Sequence, residues 1–383
     1  MIRRHSTKLS ATLELFFGCQ CVALRLIQGY ISAMNWKPEY TITDHLLLTM
    51  REIGEATGEI KSFGITPKML ARLELEAREL SSYASTSIEG NPLPLTDVKK
   101  LLKTRKEHLR DTEREVLNYN RVLQALYTSI RSGKFTLNLK TLEKTQKQVV
   151  EGLMDNPDDC GHIRQAPVII RNPRKIDEIV FIPPDAKDVP TLLNELNNFV
   201  NTHIGKIDSV ILAGLFHRQY VIIHPFMDGN GRTARLLTTA ILGKAGLDLF
   251  EIFSFENYYN QNITRYFKAV GLEGNYYELK DSIDFTYWLE YFANGILDEL
   301  QRIRKTLPET MPQQPRLEGH HKQILDYIHE HGSISQHEYG NISTRSLAAR
   351  KLDFKKLIDL GFIEVKGTGR GTYYVISQVY RNL

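Results

Sequence analysis

From Thr66 onward, apolar residues recur every three or four positions, at Leu70, Leu73, Ala77, Leu80, Ala84 and Ile88. That spacing predicts a helix with one buried face, opened by Pro67 in its first turn and closed at Gly90, beyond which Pro92 and Pro94 bar further turns. The same periodicity predicts helices over 97–106, 111–131, 139–151, 189–200, 208–223, 231–245 and 286–305. Between 167 and 184 the pattern changes: Val168 to Ile170 and Ile179 to Ile182 flank Asn172-Pro173, which predicts a β-hairpin. The stretch TLPETMPQQPRLEG, 306–319, has three prolines and few apolar positions, the chemistry of a linker. A second domain is expected near His320, with a helix around Ile324, Leu325 and Ile328, another over 346–360, and two strands joined by a glycine-rich turn over 362–377. Helices followed by a terminal hairpin form the pattern of a winged helix.

Composition narrows the class. At 383 residues, 42% hydrophobic and 25% charged, the chain has the make-up of a globular protein of two or three domains. Its net charge of +4 is weak evidence for a polyanionic partner. Three cysteines, Cys19, Cys21 and Cys160, form no CxxC pair and no disulfide framework, which points to a reducing cytoplasm. Arg3, Arg4 and Lys8 precede an apolar segment, 13–31, that superficially resembles a signal peptide or anchor. Glu14, Gln20, Arg25 and Gln28 interrupt it. Residues 1–33 are therefore read as a non-native extension, with Met34 the expected start.

The densest chemistry lies in HPFMDGNGR, 224–232, between two apolar runs. The run before it should end as a helix at His224-Pro225, because proline disfavours helix in the residue before it. The next helix should begin near Gly231. A loop ending in Gly-Asn-Gly at a helix N-terminus offers unpaired N–H groups beside the positive end of the helix dipole, an anion site. Arg232 and Arg235, three apart, reach further phosphate oxygens, so the cradle suits a di- or triphosphate. Asp228 would be repelled by phosphate unless a divalent cation lay between, and one carboxylate plus phosphate oxygens is a common magnesium environment. His224 is then a candidate general base.

These residues resemble a known family. HPFMDGNGRTAR, His224 to Arg235, matches the signature HxFx[D/E]GNGRxxR of the Fic (filamentation induced by cyclic AMP) domain at every defining position. GHIR, Gly161 to Arg164, is similar to the family's GxxR ahead of its hairpin, and the resemblance extends over about 60–300 in element order. It implies a mainly α fold, a Fic-type helical bundle with a β-hairpin flap, here followed by a winged helix. The expected domains are an N-terminal helical region with an inhibitory helix (34–125), a catalytic core (126–305), a linker (306–319) and the winged helix (320–383). The resemblance further implies transfer of AMP from ATP to a tyrosine, serine or threonine hydroxyl of a protein target, or of the chain itself. His224 would take the proton, Asp228 would hold Mg²⁺, Gly229, Asn230 and Gly231 would bind phosphates, and Arg232 and Arg235 would neutralise them. Phe226 would anchor the loop, Tyr266 resembles a nucleotide-pocket aromatic, and the flap would align the target as an added strand.

STSIEG, Ser85 to Gly90, resembles the family's inhibitory motif [S/T]xxxE[G/N], in which Glu89 would pair with Arg235 and obstruct the γ-phosphate site. Three alternatives stand beside this reading: removal of AMP with Glu89 activating water, transfer of another nucleotide or phosphate group, and a DNA-binding regulator that uses the Fic domain as a sensor. From Arg345 to Leu383 eight Lys or Arg face three Asp or Glu, with Arg345, Arg350, Lys351, Lys355 and Lys356 on or beside the expected recognition helix, which makes DNA a candidate partner. GNGRTA imitates a dinucleotide fingerprint, but no strand precedes it. His217, two turns before His224, reads as structural. No membrane partner is expected, and oligomerisation is left open.

Overall fold

The structure is a computed structural model that describes residues 36–63, 65–104, 106–172, 175–307 and 317–381. The extension at 1–33, Pro173 of the hairpin turn, and 308–316 of the linker lie outside the described residues. In chain order the elements are α1 (Asp44–Ser62), α2 (Pro67–Ile88), α3 (Leu95–Leu101), α4 (Asp111–Arg131), α5 (Leu139–Val149), β1 (Ile170–Asn172), β2 (Lys175–Ile182), α6 (Val189–His203), α7 (Ser209–Ile223), α8 (Asn230–Lys244), α9 (Phe255–Gln261), α10 (Ile263–Val270), β3 (Gly274–Asn275), α11 (Tyr276–Leu279) and α12 (Thr286–Thr306). Beyond the linker come α13 (Gly319–His331), β4 (Ile334–Ser335), α14 (Gln336–Ile342), α15 (Leu347–Asp359), β5 (Ile363–Lys366), β6 (Tyr373–Ile376) and α16 (Gln378–Arg381). Among the described residues, no helix is long and apolar enough to cross a membrane.

Helix α7 is buried nearly all round, and α6, α8 and α12 pack against it. A helix apolar on every face must sit at the centre of its bundle. Its neighbours meet over an aromatic cluster in which Trp288, with no exposure, stacks on Phe292 at 5.8 Å and lies 4.9 Å from the His217 ring. Trp288 Nε1 donates to the Gly214 carbonyl at 2.7 Å, so the indole's one polar atom is satisfied in the core. Gly214 lets α12 come this close, since a Cβ there would lie 2.8 Å from Leu289 Cδ2.

Helix α2 begins where the pattern places it. Thr66 accepts from the Met69 N–H, Pro67 fills the first turn, and Gly90 takes φ +96° just past the end. Leu73, Ala77, Ala84 and Ile88 are buried, and so are Ser81, Ser82, Ser85 and Thr86 on a polar face that hydrophobic periodicity does not register. The hairpin differs from expectation in its boundaries: β2 starts at Lys175 and includes Asp177 and Glu178. These charged positions belong to an exposed strand paired to β1 through a bulged register and, at Phe181 and Ile182, to β3 in parallel.

Residues 317–381 have their own apolar cluster of Ile324, Ile328, Ile334, Tyr339, Phe354, Leu357 and Ile363. Its sheet runs β4-β6-β5, all antiparallel, against α13, α14 and α15. Asp353 is buried there and accepts from Arg345 Nε (2.7 Å), Arg345 Nη2 (3.0 Å) and the Tyr339 hydroxyl (2.9 Å). His321 faces the same carboxylate. Its Nδ1 accepts the Glu318 N–H at 3.1 Å, so in the neutral ring Nε2 carries the proton and offers no lone pair to a metal.

Trp288→Ala removes the largest ring of the central cluster and leaves the Gly214 carbonyl without its donor. It should cost about 3–5 kcal/mol, read as a lower urea midpoint; an unchanged midpoint would show that the cluster does not hold the bundle.

Candidate active site

The signature loop is a strained turn braced from inside. α7 ends at Ile223, and His224 takes the left-handed conformation, φ 50° and ψ 63°, unusual for a residue with a side chain. Three sets of bonds hold it there. The Asn230 side chain accepts the Phe226 N–H at 2.9 Å and donates to the Phe226 carbonyl at 2.8 Å. Phe226 itself is fully buried. Arg164 donates from Nε to the His224 carbonyl at 2.8 Å, and its backbone N–H reaches the Pro225 carbonyl at 3.0 Å. Gln146 Nε2 donates to the Asp228 carbonyl at 3.1 Å. The side chain of Asn230 is thus spent on shaping the loop, and only its backbone is left to face an anion.

His224 Nδ1 lies 3.3 Å from the Val221 carbonyl. An N–H at Nδ1 suits that acceptor, which leaves Nε2 as the basic nitrogen, and Nε2 has no hydrogen-bond partner among the described residues. Burial lowers the pKa of the ring to about 4; the Val221 bond and the Glu89 and Asp228 charges oppose the shift, and Arg164 adds to it. The ring is therefore neutral at physiological pH.

Gly229, at φ 76°, precedes α8, and a Cβ on it would meet Val150 Cγ1 at 2.6 Å. Gly231 is glycine for another reason: a Cβ there would lie 2.3 Å from Glu89 Oε1. The Glu89 carboxylate thus rests against the first turn of α8, at the positive end of the helix dipole. Glu89 Oε1 accepts from Arg235 Nη2 at 2.6 Å. Arg235 is 1% exposed and also donates to Ser85 Oγ (2.7 Å) and the Ser85 carbonyl (2.9 Å). Burial opposes its charge, and Glu89 with the neighbouring tyrosines more than reverses that, so its pKa stands above the ordinary arginine value.

Arg232 reaches two carboxylates. Nη2 lies 3.0 Å from Asp228 Oδ2 and Nη1 lies 2.8 Å from Glu115 Oε1. The Asp228 side chain is 57% exposed, at the mouth of the loop. Tyr266 lies inside the protein, behind Arg235. It is buried, stacked on Tyr259 at 4.5 Å, with its hydroxyl 3.5 Å from Arg235 Nη1 and 3.3 Å from His217 Nε2. His217 is buried, its second nitrogen is on Thr238 Oγ1, and burial followed by the Arg235 charge lowers its pKa well below normal.

The structure thus gathers Ser85, Glu89, Asp228, Gly231, Arg232, Arg235 and, behind them, Tyr266 around the start of α8. Sequence reading missed Glu115, Asn91 and Gln146, which lie on separate elements and carry no motif. Arg164 was visible only as the last residue of GHIR.

Residues 136–242 match the Fic/DOC family. The chain is 31% identical over 181 residues to the Drosophila erecta protein adenylyltransferase Fic, a match covering 46% of this chain and 34% of that one. It is 29% identical over 191 residues to the Aedes aegypti protein adenylyltransferase Fic, covering 49% and 36%. The chain therefore spans little more than a third of the length of these curated relatives. Among solved structures, a Fic family protein from Desulfovibrio desulfuricans G20 superposes with a TM-score of 0.58 at 21% identity, covering 90% of this chain and 99% of that one. Fic-1 from C. elegans gives 0.53 at 20% identity, covering 75% and 77%. With its complete signature, its helical bundle and this likeness in fold, the chain carries a Fic domain over residues 136–242.

Proposed function

We propose that the chain is a protein adenylyltransferase that moves AMP from ATP to a tyrosine, serine or threonine hydroxyl on a protein target or on itself. One observation carries this reading: a neutral base with an unengaged Nε2, His224, lies on the same short loop as a helix N-terminus flanked by two arginines. The target oxygen attacks the α-phosphorus of ATP while His224 Nε2 takes its proton. The bond from the α-phosphorus to the bridging oxygen breaks, and pyrophosphate leaves with the electron pair. The backbone of Gly229 to Gly231 cradles phosphate, and Arg232 and Arg235 neutralise the β and γ groups. The exposed oxygen donors of Asp228 fit a hard divalent cation such as Mg²⁺, which when bound supplies charge neutralisation at the polyphosphate.

Tyr266 supports Arg235 from behind in this reading instead of stacking on a base. Ile169, Ile179 and Ile182 of the hairpin are exposed, 39–48%, and give apolar contacts to a segment added along the β1 or outer β2 edge. Ser85 and Glu89 form the brake, because Arg235 cannot serve Glu89 and a phosphate at once. The proposed setting is a reducing cytoplasm, on the ground of three cysteines without a CxxC pair.

Residues 317–381 are proposed to form a winged helix that docks a partner. Arg345 is engaged by Asp353, and Arg350 Nη1 donates to the Gln336 carbonyl at 3.1 Å, so two of the five cations that favoured DNA are turned inward. Lys351 and Lys355 are exposed, beside Leu347 and Leu352 at 55% and 65%. The mixed surface weighs toward protein docking over DNA.

Glu89→Gly should raise transfer of the α-label of ATP to protein by about tenfold or more, the effect of freeing one charge-assisted pair. Loss of AMP release from pre-labelled protein in the same variant would favour AMP removal with Glu89 as the activating group, and transfer of a γ-label would favour phosphoryl chemistry. His224→Ala should lower transfer about 10²- to 10⁴-fold. Because the free ring is neutral above about pH 4, kcat/KM should rise with pH through that value and be flat by pH 6; an acid limb near 6.5 would remove His224 as a base held in this environment. In a mobility-shift assay at low salt, the full chain should leave duplex DNA unshifted; a shift that weakens in Lys351→Glu would restore DNA as the partner.

A further inference from the structure

Arg232 is held from a side that the signature does not describe. Its Nη1 donates to Glu115 Oε1 at 2.8 Å, with the arginine side chain 7% and the glutamate side chain 15% exposed. Glu115 lies on α4, ahead of the stretch that matches the family, and its second oxygen is occupied too: Asn91 Nδ2 donates to Glu115 Oε2 at 2.7 Å. Asn91 is fixed in turn, donating to the Thr112 carbonyl at 2.8 Å and accepting the Leu93 N–H at 3.1 Å.

The three carboxylates around the two arginines differ in freedom. The Glu89 side chain is 32% exposed and that of Asp228 is 57% exposed, so each can turn into solvent when a polyphosphate displaces it. Glu115 is nearly buried and bonded through both oxygens, so turning it away would leave one N–H of Asn91 Nδ2 and the Nη1 of a buried guanidinium without their acceptor. A group fixed in this way orients its partner. With Nη1 anchored, Arg232 presents Nη2 toward the exposed Asp228 carboxylate at the mouth of the loop, where an anion could take its place, and its buried Nε has no hydrogen-bond partner.

We propose that Glu115 is a positioning residue for Arg232, aiming its guanidinium at the polyphosphate of the nucleotide, and that Asn91 holds Glu115 in place from the turn that follows Glu89. The inference rests on the reading of the site as a nucleotide site. Burial, ahead of the Arg232 and Asn91 contacts that oppose it, raises the Glu115 pKa, and the Glu89 and Asp228 charges add to that rise. Arg232 is the partner that keeps the ionised form in place.

The test compares nucleotides of different length on the full chain in the Glu89→Gly background, where the brake no longer competes. Binding of AMP, ADP and a non-hydrolysable ATP analogue is measured by calorimetry with and without Glu115→Gln. AMP affinity should stay within about twofold, whereas ADP and ATP-analogue affinity should fall about tenfold, because only the longer phosphates reach Arg232. Glu115→Asp, which keeps the charge, should recover part of the loss. Asn91→Ala, which leaves the ion pair in place, should shift the same ratio in the same direction by a smaller factor, and serves if Glu115→Gln does not fold. Equal weakening of all three nucleotides would reduce Glu115 to a structural role, and tighter binding of the ATP analogue would make it a second obstruction; either overturns the proposal. Absence of ATP-analogue binding in the Glu89→Gly parent would overturn the nucleotide-site reading itself, which separates the two failures.

Discussion

Arg235 is the constraint around which the site is built. A guanidinium cannot discard its charge, and at 1% exposure it must be matched by something inside the protein. In this structure the match is Glu89, assisted by both oxygens of Ser85 and by the Tyr266 hydroxyl. Removing the glutamate with nothing in exchange would leave a buried cation uncompensated, which is a large cost. Replacing it with a phosphate restores the balance. In the proposed function the brake and the substrate are therefore alternatives for one charge, and the glycine at 231 is the space that lets either approach.

The elements that carry this pair are joined by polar bonds in the interior. Glu256 on α9 accepts from Tyr119 of α4 at 2.8 Å, from Ser81 of α2 at 3.1 Å and from Ser254 at 2.9 Å. Burial raises its pKa, and the three hydroxyls work in the opposite direction. A network of this kind adds direction where hydrophobic packing adds only area, because each hydroxyl is satisfied in one arrangement of the three helices. It fixes α2 about one turn before Ser85, so the end of the helix arrives at α8 in a defined register.

The loop was legible because its chemistry is contiguous: the proline after His224 and the glycines around Asn230 determine a turn and a helix start within a dozen residues, and the two arginines bring the charge that suggests an anion there. The amphipathic helices α2, α4 and α12 were legible for the ordinary reason that their apolar spacing is regular. Helix α1 was not read, since Gly54 and Gly58 interrupt a stripe whose buried members include Thr49. Nor were α9 and α10, where aromatic residues dominate and the chain breaks at Asn262. The charged half of β2 gave no strand signal because an exposed strand needs no apolar alternation. Glu115, Asn91, Arg164 and Glu256 share a deeper difficulty. Each matters for a partner tens of residues away or more, and a lone polar residue reads as surface until its partner is known.

In the proposed function, how Glu89 could yield follows from where α2 is held. Its 22 residues span about 33 Å. Near its start, Gly361 of the C-terminal unit sits against Lys68, and α16 packs on the same helix. Moving α2 as a rigid body would break the Ser81–Glu256 bond in its middle as well as both ends. The end alone is cheaper. Glu89 and Gly90 hang on single bonds to the Thr86 and Ser87 carbonyls, and the Glu89 side chain is a third exposed. Rotation of that side chain, or fraying of that one turn, vacates Arg235 while the Ser85 contacts and the Glu256 network stay intact. The Asn91 bonds to Thr112 and Glu115 set the limit of such fraying. The glutamate can therefore leave without the turn leaving, and the rest of the site keeps the shape that the proposed function requires of it.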